Sequence, residues 1–489
     1  MDDCIKLPLD EEQLEDLVLQ AKDYLLSHGL VLRTVEKPDS NSVVTHAPVT
    51  LLPSPVPKAL YEYAQGIQNN VNLLMHRIAV NHDFLWKCLE KVIQVDDFTR
   101  HLWEIYDTVT KEGVAQPYSL GLNRADYMLD CGIPVSQLAQ SKVTVDSRSM
   151  KLRMVEVNLM SASFGGLSQR LKYFHKFILE RLHMNDKVGQ IPTEAGAADV
   201  LAKGILTAWE YYGKSGSVVL FLILDQERNI YDQRHLEYSL YQLNPKVKVI
   251  CKTLKDVTER GRLTDDARLV IDGDEVAIVY QRCLYAPTHY SSEEDWQTRL
   301  LLERSKAIKC PSAGYHLAGT KKVQQVLAKP GVLEQFLTDP EAIQSIRNTF
   351  AGQYSLDLGK EGDEAVTMAL NNPQTYVLKP QREGGGNNIY GDDIRVKLSE
   401  MEKSLERTAY ILMDRIHPYL VQNYLIFSGK PVELYNCVSE LGIYGAFVGT
   451  PDDVILNFSG GCCLRTKAAG TNEGGVATGY SCLDSPFLI

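Results

Sequence analysis

The sequence predicts a mixed α/β chain, an α+β framework interrupted by a parallel α/β unit. Three observations carry this. Up to about Thr110, apolar residues recur mostly at helical spacing. Residues 218–251 run strand, helix, strand, the order of a right-handed parallel crossover. From Tyr376 onward, short apolar runs alternate with glycine-rich segments.

The first element opens at Asp10, followed by Glu11-Glu12-Gln13, a capping signal with acids in the first turn. Leu14, Leu17, Val18, Ala21, Tyr24 and Leu25 then form one core-facing stripe, and Gly29 ends it. Residues 59–110 continue mostly helical and read as core. Near Arg153 the period changes to two, so Glu156 and Asn158 share one strand face while Val155 and Val157 take the other. Gly213-Lys214-Ser215-Gly216 has the composition of a linker. A buried strand at 218–224, a helix at 235–243 and a strand at 247–251 follow. Residues 269–280 read as a hairpin, with Asp272-Gly273 at its turn. Helices are expected around 296–309 and 322–337. Strands are expected at 376–379, 409–413 and 437–442.

Composition bounds the function. The 489 residues carry a formal charge of 51 − 62 = −11, which argues against a general nucleic-acid binder. At roughly 150 residues per domain, the length allows about three units or two large ones. The 44% hydrophobic and 23% charged content is that of a soluble globular protein and excludes a collagen-like or disordered chain. The longest aliphatic run, within 217–224, is far short of the roughly 20 residues that span a bilayer, so no membrane association is expected. The N-terminal Met-Asp-Asp-Cys-Ile-Lys lacks a signal-peptide pattern, and the ten cysteines are sparse with no Cys-x-x-Cys pair. Both point to reduced thiols and a cytoplasmic location.

Several residues have chemical potential. Lys379 ends a strand that runs into Glu383-Gly384-Gly385-Gly386-Asn387-Asn388. Such a loop can bring backbone N–H groups against phosphate oxygens, with Lys379 as the cation and Glu383 as an oxygen ligand for a divalent metal. Taken alone, the triple glycine suits a flexible surface loop better, and it matches neither the P-loop nor the dinucleotide fingerprint. Glu156 and Asn158 suit magnesium, which takes oxygen ligands and completes its shell with water and phosphates. They equally suit a solvated strand face. Arg465 and Lys467 project to one side of an extended segment and suit a phosphate or carboxylate, or else surface salt bridges. Ser161 and Ser163 lie outside any Gly-x-Ser-x-Gly pattern, and the eleven histidines show no His-x-x-x-His pair, so a serine hydrolase or zinc enzyme is poorly supported.

The chain resembles the eukaryotic-type glutathione synthetase family of ATP-grasp ligases over nearly its whole length. The resemblance is carried by Gly121-Leu-Asn-Arg124-Ala-Asp126-Tyr127, by Glu156-Val-Asn158-Leu-Met-Ser161-Ala-Ser163-Phe-Gly-Gly166, and by Glu227-Arg-Asn229-Ile-Tyr-Asp-Gln233. Further on it is carried by Lys321-Lys-Val-Gln-Gln325, Lys379-Pro-Gln-Arg-Glu383-Gly-Gly-Gly-Asn-Asn388, Ser439-Glu440-Leu-Gly442 and Leu464-Arg465-Thr-Lys467. It implies an ATP-grasp architecture with glycine-rich lid loops. Residues 1–215 and 319–489 would make one discontinuous unit around a substrate-binding α/β insert at 216–318.

The resemblance also implies roles. Glu156, Asn158 and Glu383 match magnesium ligands, for two ions per subunit. Lys321 and Lys379 match catalytic lysines on the ATP phosphates, and Arg465 matches the catalytic arginine. The nucleotide would further meet Glu156, Gly384, Gly385, Gly386, Asn387, Asn388, Tyr390, Met413, Asp414, Arg415, Ile416, Glu440, Lys467 and Glu473. The peptide substrate would meet Arg124, Ser161, Ala162, Ser163, Glu227, Asn229, Gln233, Arg282, Tyr285 and Arg465, under a loop with Val476 and Ala477. The implied reaction joins γ-glutamylcysteine to glycine through an acyl phosphate, releasing ADP and phosphate from a homodimer. A relative using β-alanine or serine as acceptor is the alternative. The chain departs from the family pattern at Cys283-Leu284, Asp414 and Thr478.

Overall fold

A computed structural model describes residues 5–140, 145–383, 386–472 and 474–489. Its largest sheet has seven strands. Ser119–Asp130 lies between Lys151–Asn158 and the long strand Leu434–Gly449, all antiparallel. Val454–Ala468 pairs with the other edge of Leu434–Gly449. Val421–Ile426 pairs both with Leu434–Gly449 and with Val49–Thr50, so the pairing closes on itself through Cys482–Asp484. The helices Lys58–Ala79 and Ala197–Tyr212 cover this sheet with buried aliphatic faces.

The second sheet draws its six strands from residues 218–310. Val218–Leu222, Lys248–Lys252, Asp274–Gln281 and Ile308–Cys310 are parallel neighbours. All five residues of Val218–Leu222 are buried, as a strand covered on both faces requires. Lys248 and Lys252 mark the edge strand, where charge discourages further pairing. Leu269–Ile271 and Asp274–Gln281 form the expected hairpin, with Asp272 at φ 53° and Gly273 at φ 91°. Two consecutive positive φ values are what a tight hairpin turn needs.

A third sheet, of four antiparallel strands, orders Gln353–Ser355, Tyr410–Asp414, Tyr376–Pro380 and Ile389–Tyr390. The helices Lys360–Asn371 and Asp392–Glu400 bury Val366, Ala369, Ile394 and Leu398 against it.

Most predicted elements stand within two or three residues of expectation. Helix Glu11–Ser27 begins at Asp10, whose carboxylate accepts from the Gln13 N–H at 2.9 Å. The expected helix at 322–337 is instead Lys321–Leu327 and a short turn, because Pro330 cannot continue the helical hydrogen bonds and Gly331 turns at φ 79°. The expected helix at 296–309 is Glu293–Arg304, and Ile308–Cys310 is a buried strand. The helix expected at 235–243 starts earlier, as Ile230–Leu243. The strand expected at 437–442 is 16 residues long. Among the described residues, nine cysteines are free and no helix is long and apolar enough to cross a membrane.

Candidate active site

A cavity of about 1280 Å³ opens where the three sheets meet. The seven-stranded sheet supplies Arg124, Glu156, Asn158, Glu440, Arg465 and Lys467. The four-stranded sheet and its flanks supply Val377, Lys379, Glu383, Tyr390, Met413 and Asp414. Residues around the parallel sheet supply Glu227, Asn229, Arg282 and Tyr285. Segments distant in sequence thus converge on one space.

Strand pleating puts Glu156 and Asn158 on the cavity side. Lys321, at the start of its helix, sets its Nζ 3.0 Å from Glu156 Oε2 and 3.9 Å from Glu383 Oε2. Burial opposes ionisation of Glu156, but Lys321 and Lys379 outweigh it and hold its carboxyl down at about 2. Burial, with Glu156 adding to it, pushes Glu383 up to about 7 although Lys321 pulls the other way. Burial would lower Lys321, yet the two glutamates raise it above the usual lysine range. Lys379 donates to the Val155 carbonyl at 3.1 Å, and burial lowers its pKa.

Beside this cluster lies a chain of charges. Arg124 forks onto Asp126, Nε to Oδ1 at 2.6 Å and Nη2 to Oδ2 at 2.8 Å. Arg465 Nη2 donates to Asp126 Oδ2 at 2.8 Å and to Glu440 Oε1 at 2.6 Å. Burial disfavours the charged guanidinium of Arg465, but Glu440 and Asp126 more than restore it.

On the other side, Ser161, Ala162 and Ser163 line the wall. Their two hydroxyls donate to the carbonyls of Gln281 and Ser161, each at 2.9 Å, which leaves oxygen lone pairs for other donors. Arg282 donates to Ser163 Oγ at 2.8 Å. Asn229 keeps an unpartnered side-chain oxygen among the described residues. Gln233 is also buried, with no hydrogen-bond partner among the described residues, and does not line the cavity. The departures Cys283 and Leu284 are buried in the core of the parallel sheet, outside the cavity lining.

Of the residues expected to meet a nucleotide, most of the described ones line the same cavity. Val377, Met413 and Val438 give an apolar wall, with Arg415 and Ile416 just beyond the strand. Asn387, Asn388 and Tyr390 line it, whereas Gly386 does not. Gly384, Gly385 and Glu473 lie outside the described residues. Val476, Ala477 and the departure Thr478 line the opposite rim, and the Ala477 carbonyl accepts from Arg228 at 3.0 Å.

Three residues escaped the sequence reading. Asp126 sits at the centre of the charge chain. Asp232 accepts from the backbone N–H groups of Phe164, Gly166 and Leu167 at 2.7–3.1 Å, capping helix Gly165–Arg181 from another element. Asn472 joins Arg415, at 3.0 Å to its Oδ1, to Lys467, at 2.7 Å to its backbone carbonyl. The motifs around Arg124 and from Glu227 to Gln233 contain Asp126 and Asp232 but gave neither a role, and Asn472 had no local signal.

Known proteins share this chain's pattern. Residues 11–488 match the family described as eukaryotic glutathione synthase, ATP binding domain. The chain is 46% identical over 481 residues to the glutathione synthetase of Xenopus laevis, across 98% of each chain. It is 45% identical over the same length to that of Homo sapiens, again across 98% of each. It is 39% identical to the chloroplastic glutathione synthetase of Arabidopsis thaliana, across 98% of this chain and 86% of that one. A solved structure of a glutathione synthetase-like effector from Globodera pallida, in apo form, matches with a TM-score of 0.76 at 23% identity. That match covers 99% of this chain and 98% of the effector, and at such identity it speaks for the fold. The chain belongs to the eukaryotic glutathione synthase family, a family of ATP-dependent ligases.

Proposed function

We propose that the chain ligates γ-glutamylcysteine to glycine, using ATP and releasing ADP and phosphate. One observation carries the reading. Three buried cations, Arg124, Lys321 and Lys379, and the partly exposed Arg465 converge with Glu156, Asn158 and Glu383 in a cavity that also has the apolar lining residues Val377, Met413 and Val438. Such a place suits a triphosphate meeting a carboxylate, two anions that repel unless cations hold them. In this reading residues 216–318 form the substrate-binding insert, and 1–215 with 319–489 form the ATP-grasp unit.

Lys321 and Lys379 hold the phosphates. Val377, Met413 and Val438 enclose the base, with Lys467 and Tyr390 at the rim. Arg124, Arg282, Ser163 and Asn229 orient the dipeptide. Its cysteinyl carboxylate attacks the γ-phosphorus, ADP leaves, and the amine of glycine then displaces phosphate from the acyl phosphate. Arg465 stabilises the charge on the transferring phosphoryl group and then on the tetrahedral oxyanion. The segments at 386–388 and 474–479 close over the site, because an acyl phosphate is lost to water in an open site.

The donor set fits magnesium. Among the described residues, no three His, Cys, Asp or Glu side chains gather as a metal group. Two carboxylates and an amide, all oxygen donors, leave room for the phosphates that complete a magnesium shell. Glu156, Asn158 and Glu383 would hold two ions per subunit, which when bound neutralise phosphate charge. A homodimer and a cytoplasmic location come with the family reading.

Thr478 on the rim favours one second reading, a different acceptor amine such as β-alanine or serine. ADP release measured with ATP and γ-glutamylcysteine separates the two. Glycine is expected to give the fastest turnover. No glycine-dependent release would overturn the proposal, and faster release with β-alanine or serine would select the alternative.

A further inference from the structure

We propose that Asp126 is a positioning residue for the ligation, the one group that orients Arg124, Asn158 and Arg465 together. This rests on the function proposed above and adds a residue to it.

Asp126 is wholly buried, with 0% of its surface exposed. A carboxylate reaches such a place without heavy cost only when several donors satisfy it. Here four do. Oδ1 accepts from Arg124 Nε at 2.6 Å. Oδ2 accepts from Arg124 Nη2, Asn158 Nδ2 and Arg465 Nη2, each at 2.8 Å. The three donors come from three strands, so no local turn brings them together.

The consequence for Asn158 follows from donor chemistry. An ionised carboxylate only accepts, so the amide must present its NH2 to Asp126. Its carbonyl oxygen is then left to the cavity that Asn158 lines, which is the atom a hard cation needs. For Arg465, Asp126 and Glu440 grip the same nitrogen from two sides and fix where the guanidinium points. For Arg124, the two-point fork fixes its plane and leaves Nη1 on the Ser163 carbonyl at 3.0 Å.

The backbone around Asp126 is arranged for this pair. Gly442 stands directly opposite Asp126 on the neighbouring strand. A Cβ there would lie 2.6 Å from Asp126 Oδ1 and 2.7 Å from Arg124 Cδ. Only glycine leaves the ion pair room to lie across that strand. Glu156 is opposite Asp126 on its other side, so the pair sits beside the carboxylate that meets Lys321.

A purely structural ion pair would look similar at rest, so the test separates stability from turnover. Asp126→Asn keeps the shape but turns an acceptor into a partial donor that faces Arg and Asn donors. In the full-length enzyme, with wild type active as a control, D126N is expected to lose at least 100-fold in kcat. Its KM for ATP should rise by no more than the magnesium contribution to nucleotide binding, because Lys321 and Lys379 are untouched. Equilibrium dialysis of ADP should show that magnesium no longer tightens nucleotide binding as it does in wild type. The exchange D126N/N158D restores one donor facing one acceptor and should recover part of the kcat. Gly442→Ala, which keeps every charge but displaces the pair, should lower kcat at least tenfold, and it decides the matter if D126N does not fold. Wild-type kcat in folded D126N or G442A, or an unaltered magnesium effect on ADP binding, would overturn the inference. An inactive wild type would count against the function instead.

Discussion

Lys321 Nζ lies 3.0 Å from Glu156 Oε2, in a pocket where Glu383 approaches the same nitrogen to 3.9 Å. One ammonium thus holds together two partly buried carboxylates that would otherwise repel each other.

Lys321→Met should therefore damage both function and fold. Two partly buried carboxylates are left with less counter-charge, so the fold should lose up to about 3 kcal/mol, the low end for breaking a buried pair from one side. Urea unfolding measures that loss. kcat/KM for ATP should fall on the order of 100-fold, the scale for removing one electrostatic partner of a developing charge. Full stability together with an unchanged KM for ATP would speak against the pairing.

Arg465→Ala should lower kcat by roughly 100- to 1000-fold at unchanged fold. Asp126 and Glu440 keep Arg124 and solvent as partners, so the melting temperature should move little. Steady-state kinetics beside a thermal melt gives both readings, and near wild-type turnover would remove Arg465 from the chemistry.

The apolar slot proposed for the nucleotide depends on a close approach behind Asp414. Its Oδ2 accepts from the Gly352 N–H and its Oδ1 from Tyr354 Oη, both at 3.1 Å. A Cβ on residue 352 would overlap Oδ2. Gly352→Ala should turn Asp414 out of the sheet and raise KM for ATP severalfold, with a smaller change in kcat.

Stability should depend on Asp484. It lies buried beneath Thr466, which donates to its Oδ2 at 2.6 Å, and burial pushes its carboxyl up to about 6 although its hydrogen bonds pull down. A raised folded pKa means that the native state holds its proton more tightly than the unfolded chain does. The contribution is therefore favourable in acid and is lost as pH rises through about 6. Between pH 5 and 8 wild type should lose roughly 1 kcal/mol relative to Asp484→Asn. Denaturant curves of the two proteins at both pH values check the sign.

The sequence made some of this legible. Period two placed Glu156 beside Asn158 and Arg465 beside Lys467, because a pleated strand alone decides which side chains share a face. Helix Glu11–Ser27 and the Asp272-Gly273 hairpin were equally local. Asp126 was not legible as an organiser, since its partner Arg465 lies 339 residues away and only the folded sheet joins them. Asp232 and Asn472 act across elements in the same way. The strand Leu434–Gly449 looked short because Gly442, Gly445 and Gly449 weaken any strand signal. At Gly442 that missing side chain is what the Arg124–Asp126 pair requires. The helix expected through 337 overlooked the break at Pro330-Gly331.

In the proposed reaction a carboxylate of the dipeptide is phosphorylated in this cavity and then taken by glycine. It is tested most directly with γ-glutamylcysteine carrying ¹⁸O in its cysteinyl carboxylate, incubated with the enzyme, ATP, magnesium and glycine. One labelled oxygen is expected in each phosphate released, in step with glutathione formed. Glutathione formed with unlabelled phosphate, or labelled phosphate without glutathione, would contradict it.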